Sequence, residues 1–114
     1  MSTTPTPTTQ ADRIRALNDD LRRNISHDRG HAVMTAGIAA LGPEAVARIV
    51  KTIEVYDDFC HANDPHEEHD FGAFEAEGHT IFFKVDLYED PNVKDSDGEP
   101  LVNRVLTIML ADEY

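Results

Sequence analysis

Phe71-Gly72-Ala73-Phe74-Glu75-Ala76-Glu77-Gly78-His79-Thr80-Ile81-Phe82-Phe83-Lys84-Val85-Asp86-Leu87-Tyr88 is the stretch that decides the fold. Phe71 to Glu75 and Thr80 to Tyr88 read as two strands, with Glu77-Gly78 as the tight turn of a hairpin. In the second strand Ile81, Phe83, Val85 and Leu87 alternate with Phe82, Lys84, Asp86 and Tyr88. One side is therefore buried and the other is part-polar.

Working outward, Glu89 to Pro100 reads as a long acidic loop. Val102 to Ala111 follows as a strand apolar on both faces, which predicts a central position in the sheet. On the N-terminal side, Asp64-Pro65-His66-Glu67 has the features of a helix start: a capping Asp, Pro at the first position and Glu three residues after the cap. Before it, Pro43 opens a helix whose buried stripe is Val46, Ile49, Val50, Ile53, Tyr56 and Cys60. Asp57 and His61 then share a face of its last turn. His31 to Ala36 reads as a short strand closed by Gly37. Ile14, Leu17, Leu21 and Ile25 mark an earlier helix, with Thr9 and Asp12 as a capping box and Arg22 and Arg23 suiting its C-terminal dipole. Residues 1–10 are expected to be a disordered tail, being Pro-broken and low in complexity. Residues 11–114 then form a single α+β domain, two helices packed on one face of a small, mostly antiparallel sheet.

The chain has 114 residues, one cysteine and a net charge of −12. That length supports a core of its own, and the single Cys60 excludes an internal disulfide. No apolar run approaches the ~18 residues of a membrane span, and the N-terminus lacks a secretory pattern. A reduced cytoplasmic location and no membrane partner are expected. The charge is lopsided: residues 54–100 carry fifteen carboxylates against Lys84 and Lys94 alone. Such a field repels nucleic acid and favours basic partners or cations.

Chemistry-bearing groups crowd into residues 60–72. His61, His66 and His69, with Asp57, Glu68 and Asp70, have the donor atoms for zinc or a similar ion. Yet His66-Glu67-Glu68-His69 is one residue short of the zinc-protease spacing, and Pro65 leaves no room for the long helix that motif needs. The competing reading is a capped turn that pins the hairpin, with no cofactor. Asp95-Ser96-Asp97-Gly98-Glu99 echoes a calcium loop, but its first and last ligands fall on Val93 and Arg104, so the match fails. Cys60 lies on an apolar stripe and reads as an inert thiol. Glu68 and Asp70 are close enough in sequence to act as an acid–base pair. Asp57, Asp58, Asp64, Glu67, Glu68, Asp70, Glu75 and Glu77 form the candidate partner surface, a row of carboxylates able to mimic DNA phosphates to a basic protein.

Tyr56-Asp57-Asp58-Phe59, Asn63-Asp64-Pro65, Glu68-His69-Asp70-Phe71-Gly72-Ala73-Phe74 and Arg104 to Tyr114 together resemble the bacterial domain-of-unknown-function family DUF3768, from about Arg13 to the end. The resemblance implies a small bacterial protein often found among mobile-element genes, and it implies no activity. It places Asn63, Asp64, Glu68, His69 and Asp70 in the family pattern, but not His61 or His66. Two classes of function follow. The first is a non-enzymatic binding protein engaging a basic partner; a specific form is an inhibitor of a nucleic-acid-binding defence protein such as a CRISPR complex. The second is a metal-dependent hydrolase centred on Glu68, His69 and Asp70. A purely structural or regulatory module is the third reading.

Overall fold

The computed structural model describes residues 10–25, 32–59, 64–94, 98 and 100–114. In chain order these form α1 (Gln10–Arg23), β1 (Ala32–Met34), α2 (Ala36–Ala39), α3 (Pro43–Val55), β2 (Phe71–Ala76), β3 (His79–Lys94), β4 (Pro100–Leu110) and a 3-10 turn (Ala111–Glu113). The strands make one sheet in the order β1-β4-β3-β2. Only β1 runs parallel to its neighbour; β4–β3 and β3–β2 are antiparallel. The architecture is α+β, with a third, one-turn helix in addition to the two the sequence predicts.

Register separates the two faces of the sheet. Ile81 pairs with Leu110, Phe83 with Ile108 and Val85 with Leu106. These side chains form one face, and they join Leu21, Ile25, Ile38, Ile49, Ile53 and Tyr56 from the helical side in a single core. Ile38, Ile49, Ile53, Ile81, Phe83 and Leu106 are fully buried. β4 is interior, as its two apolar faces predict, because it carries β1 on one edge and β3 on the other.

The hairpin turn is where expected. Glu77 and Gly78 both have positive φ, 55° and 77°. That handedness matches the twist of the flanking strands, and glycine reaches it without steric cost. Arg48 of α3 then grips the Glu77 carboxylate through Nε (3.1 Å) and Nη2 (2.7 Å).

Gly72 answers a packing need. It lies opposite Phe83 on the helix-facing side of β2. A Cβ there would overlap the Phe83 ring and stand 2.8 Å from the Tyr56 ring. Tyr56 and Phe83 meet edge to face, 5.1 Å between centroids, in the space that the missing side chain leaves. Gly72→Ala is therefore expected to cost about 1–3 kcal/mol, the usual range for overpacking a core. Urea denaturation of the variant beside the parent measures it, and an unchanged midpoint would contradict this packing.

Several expectations need correction. Glu89 to Pro100 is not wholly a loop: β3 continues to Lys94, and β3 and β4 stay paired through Asp90–Leu101 and Lys94–Pro100 with an irregularity between. The strand at 32–34 gives way at Ala36 to α2, so Gly37 is helical rather than a strand stop. Helix α3 ends at Val55, so Asp57 lies beyond it, and His61, expected to share its last turn, lies outside the described residues. On α1 the buried positions are Asn18, Leu21 and Arg22, with Ile25 buried just past its end, while Leu17 is 50% exposed. The apolar stripe is thus rotated to admit two polar residues. Thr9 and Cys60 lie outside the described residues.

The C-terminal turn closes the structure through one carboxylate. Glu113 accepts hydrogen bonds from the Thr35 hydroxyl (2.6 Å), the Gly37 N–H (3.1 Å) and the Leu110 N–H (2.9 Å). Gly37 lacks the Cβ that would collide with that carboxylate. The Thr35 hydroxyl first, and the two N–H groups after it, hold the Glu113 pKa below its usual value. A depressed folded-state pKa stabilises the protein above the unfolded value, about 4.3 for Glu, and the gain is lost as pH falls through the folded one. The stability gap between parent and Glu113→Gln should accordingly be present near neutral pH and shrink in acid. Denaturant midpoints at the two pH values check this; a gap independent of pH would contradict it.

Candidate functional site

The acidic stretch that sequence singles out is built around Asp64, which is 3% exposed. Its Oδ1 accepts the backbone N–H groups of Glu68 and His69, each at 3.0 Å, and its backbone carbonyl accepts from Glu67 (3.1 Å). The chain therefore wraps around this carboxylate as a turn and does not start a helix. Asp64 caps as predicted, but it closes a loop in which Glu67 and His69 have positive φ, 56° and 55°. Non-glycine residues rarely adopt that conformation, so the wrapping bonds must hold it.

His69 lies at the centre of what holds it. Nδ1 is 2.8 Å from Oδ1 of Asp19 on α1, and Nε2 is 3.5 Å from Oδ2 of Asp64. Its ring stacks face to face on Phe59, with centroids 3.8 Å apart and planes within 4°. Asp19 in turn bonds Arg22 Nη2 at 3.1 Å. Arg22, 2% exposed, donates through Nη1 to the carbonyls of Ile53 (3.0 Å) and Tyr56 (2.5 Å) at the end of α3. A cation there meets the negative end of the α3 dipole and satisfies carbonyls the helix leaves unpaired. Arg22 lies in the last turn of its own helix, as the sequence predicts, and its side chain also serves the end of α3.

Two further clamps run from α1 to the same turn. Asn18 Nδ2 donates to the Glu68 carbonyl (3.0 Å), and Arg15 Nη1 donates to the Glu67 carbonyl (3.0 Å). Arg104 of β4 fixes Asn18 from behind through Oδ1 (3.1 Å). Tyr56 links the network to the sheet: its hydroxyl donates to the Asp58 carbonyl (3.0 Å) and accepts the Ala73 N–H (3.3 Å). Asn18 and Asp19 are the residues that sequence reasoning missed, and it did not foresee the part Arg22 and Arg104 play in this network. The one signal for them was polar residues beside Leu21 on the helix that faces the core.

The candidate residues divide by place. His66 and Glu67 are exposed, Glu68 and Asp70 are half-buried, and His61 and Asn63 lie outside the described residues. Among the described residues, no three His, Cys, Asp or Glu side chains converge to hold a metal ion. Of the candidate partner surface, Asp57, Asp58, Glu67, Glu75 and Glu77 are exposed, whereas Asp64 is turned inward. Glu75 accepts the Thr80 hydroxyl at 2.6 Å. The hydrogen bond from Arg48 holds the Glu77 pKa below the usual carboxylate value and balances its charge locally. Among the described residues no helix is long and apolar enough to cross a membrane.

These features define a small α+β domain whose polar motif is tied into its own scaffold. The chain belongs to the DUF3768 family, described as a protein of unknown function, whose family model matches residues 34–113. The match covers the motif turn and the sheet and begins after α1, later than the start near Arg13 that the resemblance suggests. No curated protein and no solved structure matches the chain.

Proposed function

We propose that this protein is a non-enzymatic binding protein whose acidic half engages a basic protein partner. The observation that carries the reading is the fate of His69. A general base needs one ring nitrogen within hydrogen-bond reach of substrate. Here Nδ1 is held by Asp19, Nε2 faces Asp64, and the ring lies against Phe59. This geometry favours scaffolding over hydrolysis as the work of the Asp64–Asp70 turn. Asp57, Asp58 and Glu67 meanwhile stay exposed on either side of the motif, within a segment of fifteen carboxylates and two lysines.

Charge of one sign speeds encounter with the opposite sign and repels DNA and RNA. The partner class is therefore a cationic protein, and a nucleic-acid-binding protein recognised by phosphate mimicry is its specific form. A bacterial defence protein such as a CRISPR complex belongs to that class. The test is affinity capture from the native host at low and at physiological salt. The reading predicts a basic nucleic-acid-binding protein that DNA displaces competitively. Retention of a neutral or acidic partner, indifferent to salt and DNA, would contradict it.

A further inference from the structure

Among the described residues, the helices that build the main core pack on one face of the sheet. On the other, Phe82 pairs with Met109, and Lys84 pairs with Thr107 on one side and Phe71 on the other. Among the described residues, no side chain of this face is part of the main core, although Met109 is itself buried. Among the described residues, the 3-10 turn brings Tyr114 over its edge, where Phe71, Phe82 and Tyr114 meet edge to face with centroids 5.1–6.2 Å apart. Tyr88 and Tyr114 remain 54% and 76% exposed. An aromatic sheet face can stack nucleic-acid bases or cations. The net charge of −12 decides between them, because it repels a phosphate backbone and attracts a cation.

The face already holds a cation of its own. Lys84 Nζ lies 3.2 Å from Oδ2 of Asp86, two residues along the same side of β3. The hydrogen bond to Asp86 holds the Lys84 pKa above its usual value, with smaller electrostatic contributions from Asp86, Tyr88 and Tyr114. Asp86 is thus the counter-charge that this ammonium meets in the structure.

We propose that this second sheet face, at its exposed tyrosines, is the docking surface for an arginine-rich segment of the partner protein, whose guanidinium groups stack on Tyr88 and Tyr114 and displace Lys84 from Asp86. This rests on the reading of the protein as a binder of basic partners and names the surface it uses. Guanidinium fits better than ammonium: it is planar, stacks on aromatic rings and bonds carboxylate with two parallel donors.

The test titrates the full chain with a synthetic peptide alternating arginine and leucine, and with the same peptide carrying lysine for arginine. Amide shifts on the arginine peptide should map to Phe82, Lys84 and Thr107, and the lysine peptide should bind more weakly. Lys84→Gln should tighten binding about fivefold, since it removes a like charge at contact distance. Tyr88→Ala should weaken binding about threefold at an unchanged melting temperature, the loss of one exposed cation–π contact. Tyr114→Ala should weaken binding as well but also lower the melting temperature, because its ring packs on Phe71 and Phe82. Shifts confined to residues 57–67, with Lys84→Gln binding as the parent does, would overturn the face and leave the basic-partner reading standing. No binding of either peptide at low salt would overturn both.

Discussion

Arg22→Ala should remove about 3–5 kcal/mol of stability, the usual loss when one partner of a buried ion pair is deleted. Arg22 is almost wholly buried, and its loss has two consequences. Asp19 would lose its guanidinium partner beside His69, and the Ile53 and Tyr56 carbonyls would lose their donor. Against a total of ~5–15 kcal/mol for a small domain, the variant would sit near the limit of folding. Arg22→Lys should recover only part of the loss, because an ammonium lacks the guanidinium fork that spans Asp19 and the end of α3. Chemical denaturation of both variants measures the effect. If Arg22→Ala unfolds at the parent's midpoint, the network does not hold the turn.

Truncation before Leu106 should abolish cooperative unfolding altogether. It removes Leu106, Ile108 and Met109, all buried, from the strand that joins β1 to β3. Each large buried apolar residue is worth ~2–5 kcal/mol on removal, so three reach the whole stability of a domain this size. The Glu113 staple to Thr35 and Gly37 goes with them. A thermal melt followed by circular dichroism reads the result. A truncated chain that melts in a single sharp transition would show that the core lies elsewhere.

Periodicity made the strands legible, because alternation at Ile81, Phe83 and Val85 and apolarity on both faces of 102–111 report burial directly. Glu77-Gly78 was legible because turn chemistry is local. The extension of β3 past Glu89 was not, since its pairing to β4 comes from the partner strand and its own residues, Asp90-Pro91-Asn92, carry loop chemistry. The same blindness explains α1. Leu17 fits an apolar stripe, yet Asn18 and Arg22 take the inward places to serve carbonyls fifty and thirty-one residues away. For the candidate site, sequence found the crowded motif and the capping role of Asp64. It could not show that Asp19 comes from another element to hold His69, because that contact exists only in three dimensions.

One measurement tests the central claim, that the acidic half recruits a basic partner while the His69 turn serves as scaffold. Association of the captured partner is followed at ~0.01 M and ~0.15 M salt, where the Debye length falls from about 30 Å to about 8 Å. The parent is compared with Asp57→Asn/Asp58→Asn/Glu67→Gln, which removes three exposed charges and leaves the Asp64 carboxylate that accepts from Glu68 and His69 in place. The account predicts slower association of the triple variant at low salt, with a smaller difference at the higher salt and an unchanged melting temperature. Equal association rates of parent and variant at low salt would contradict it.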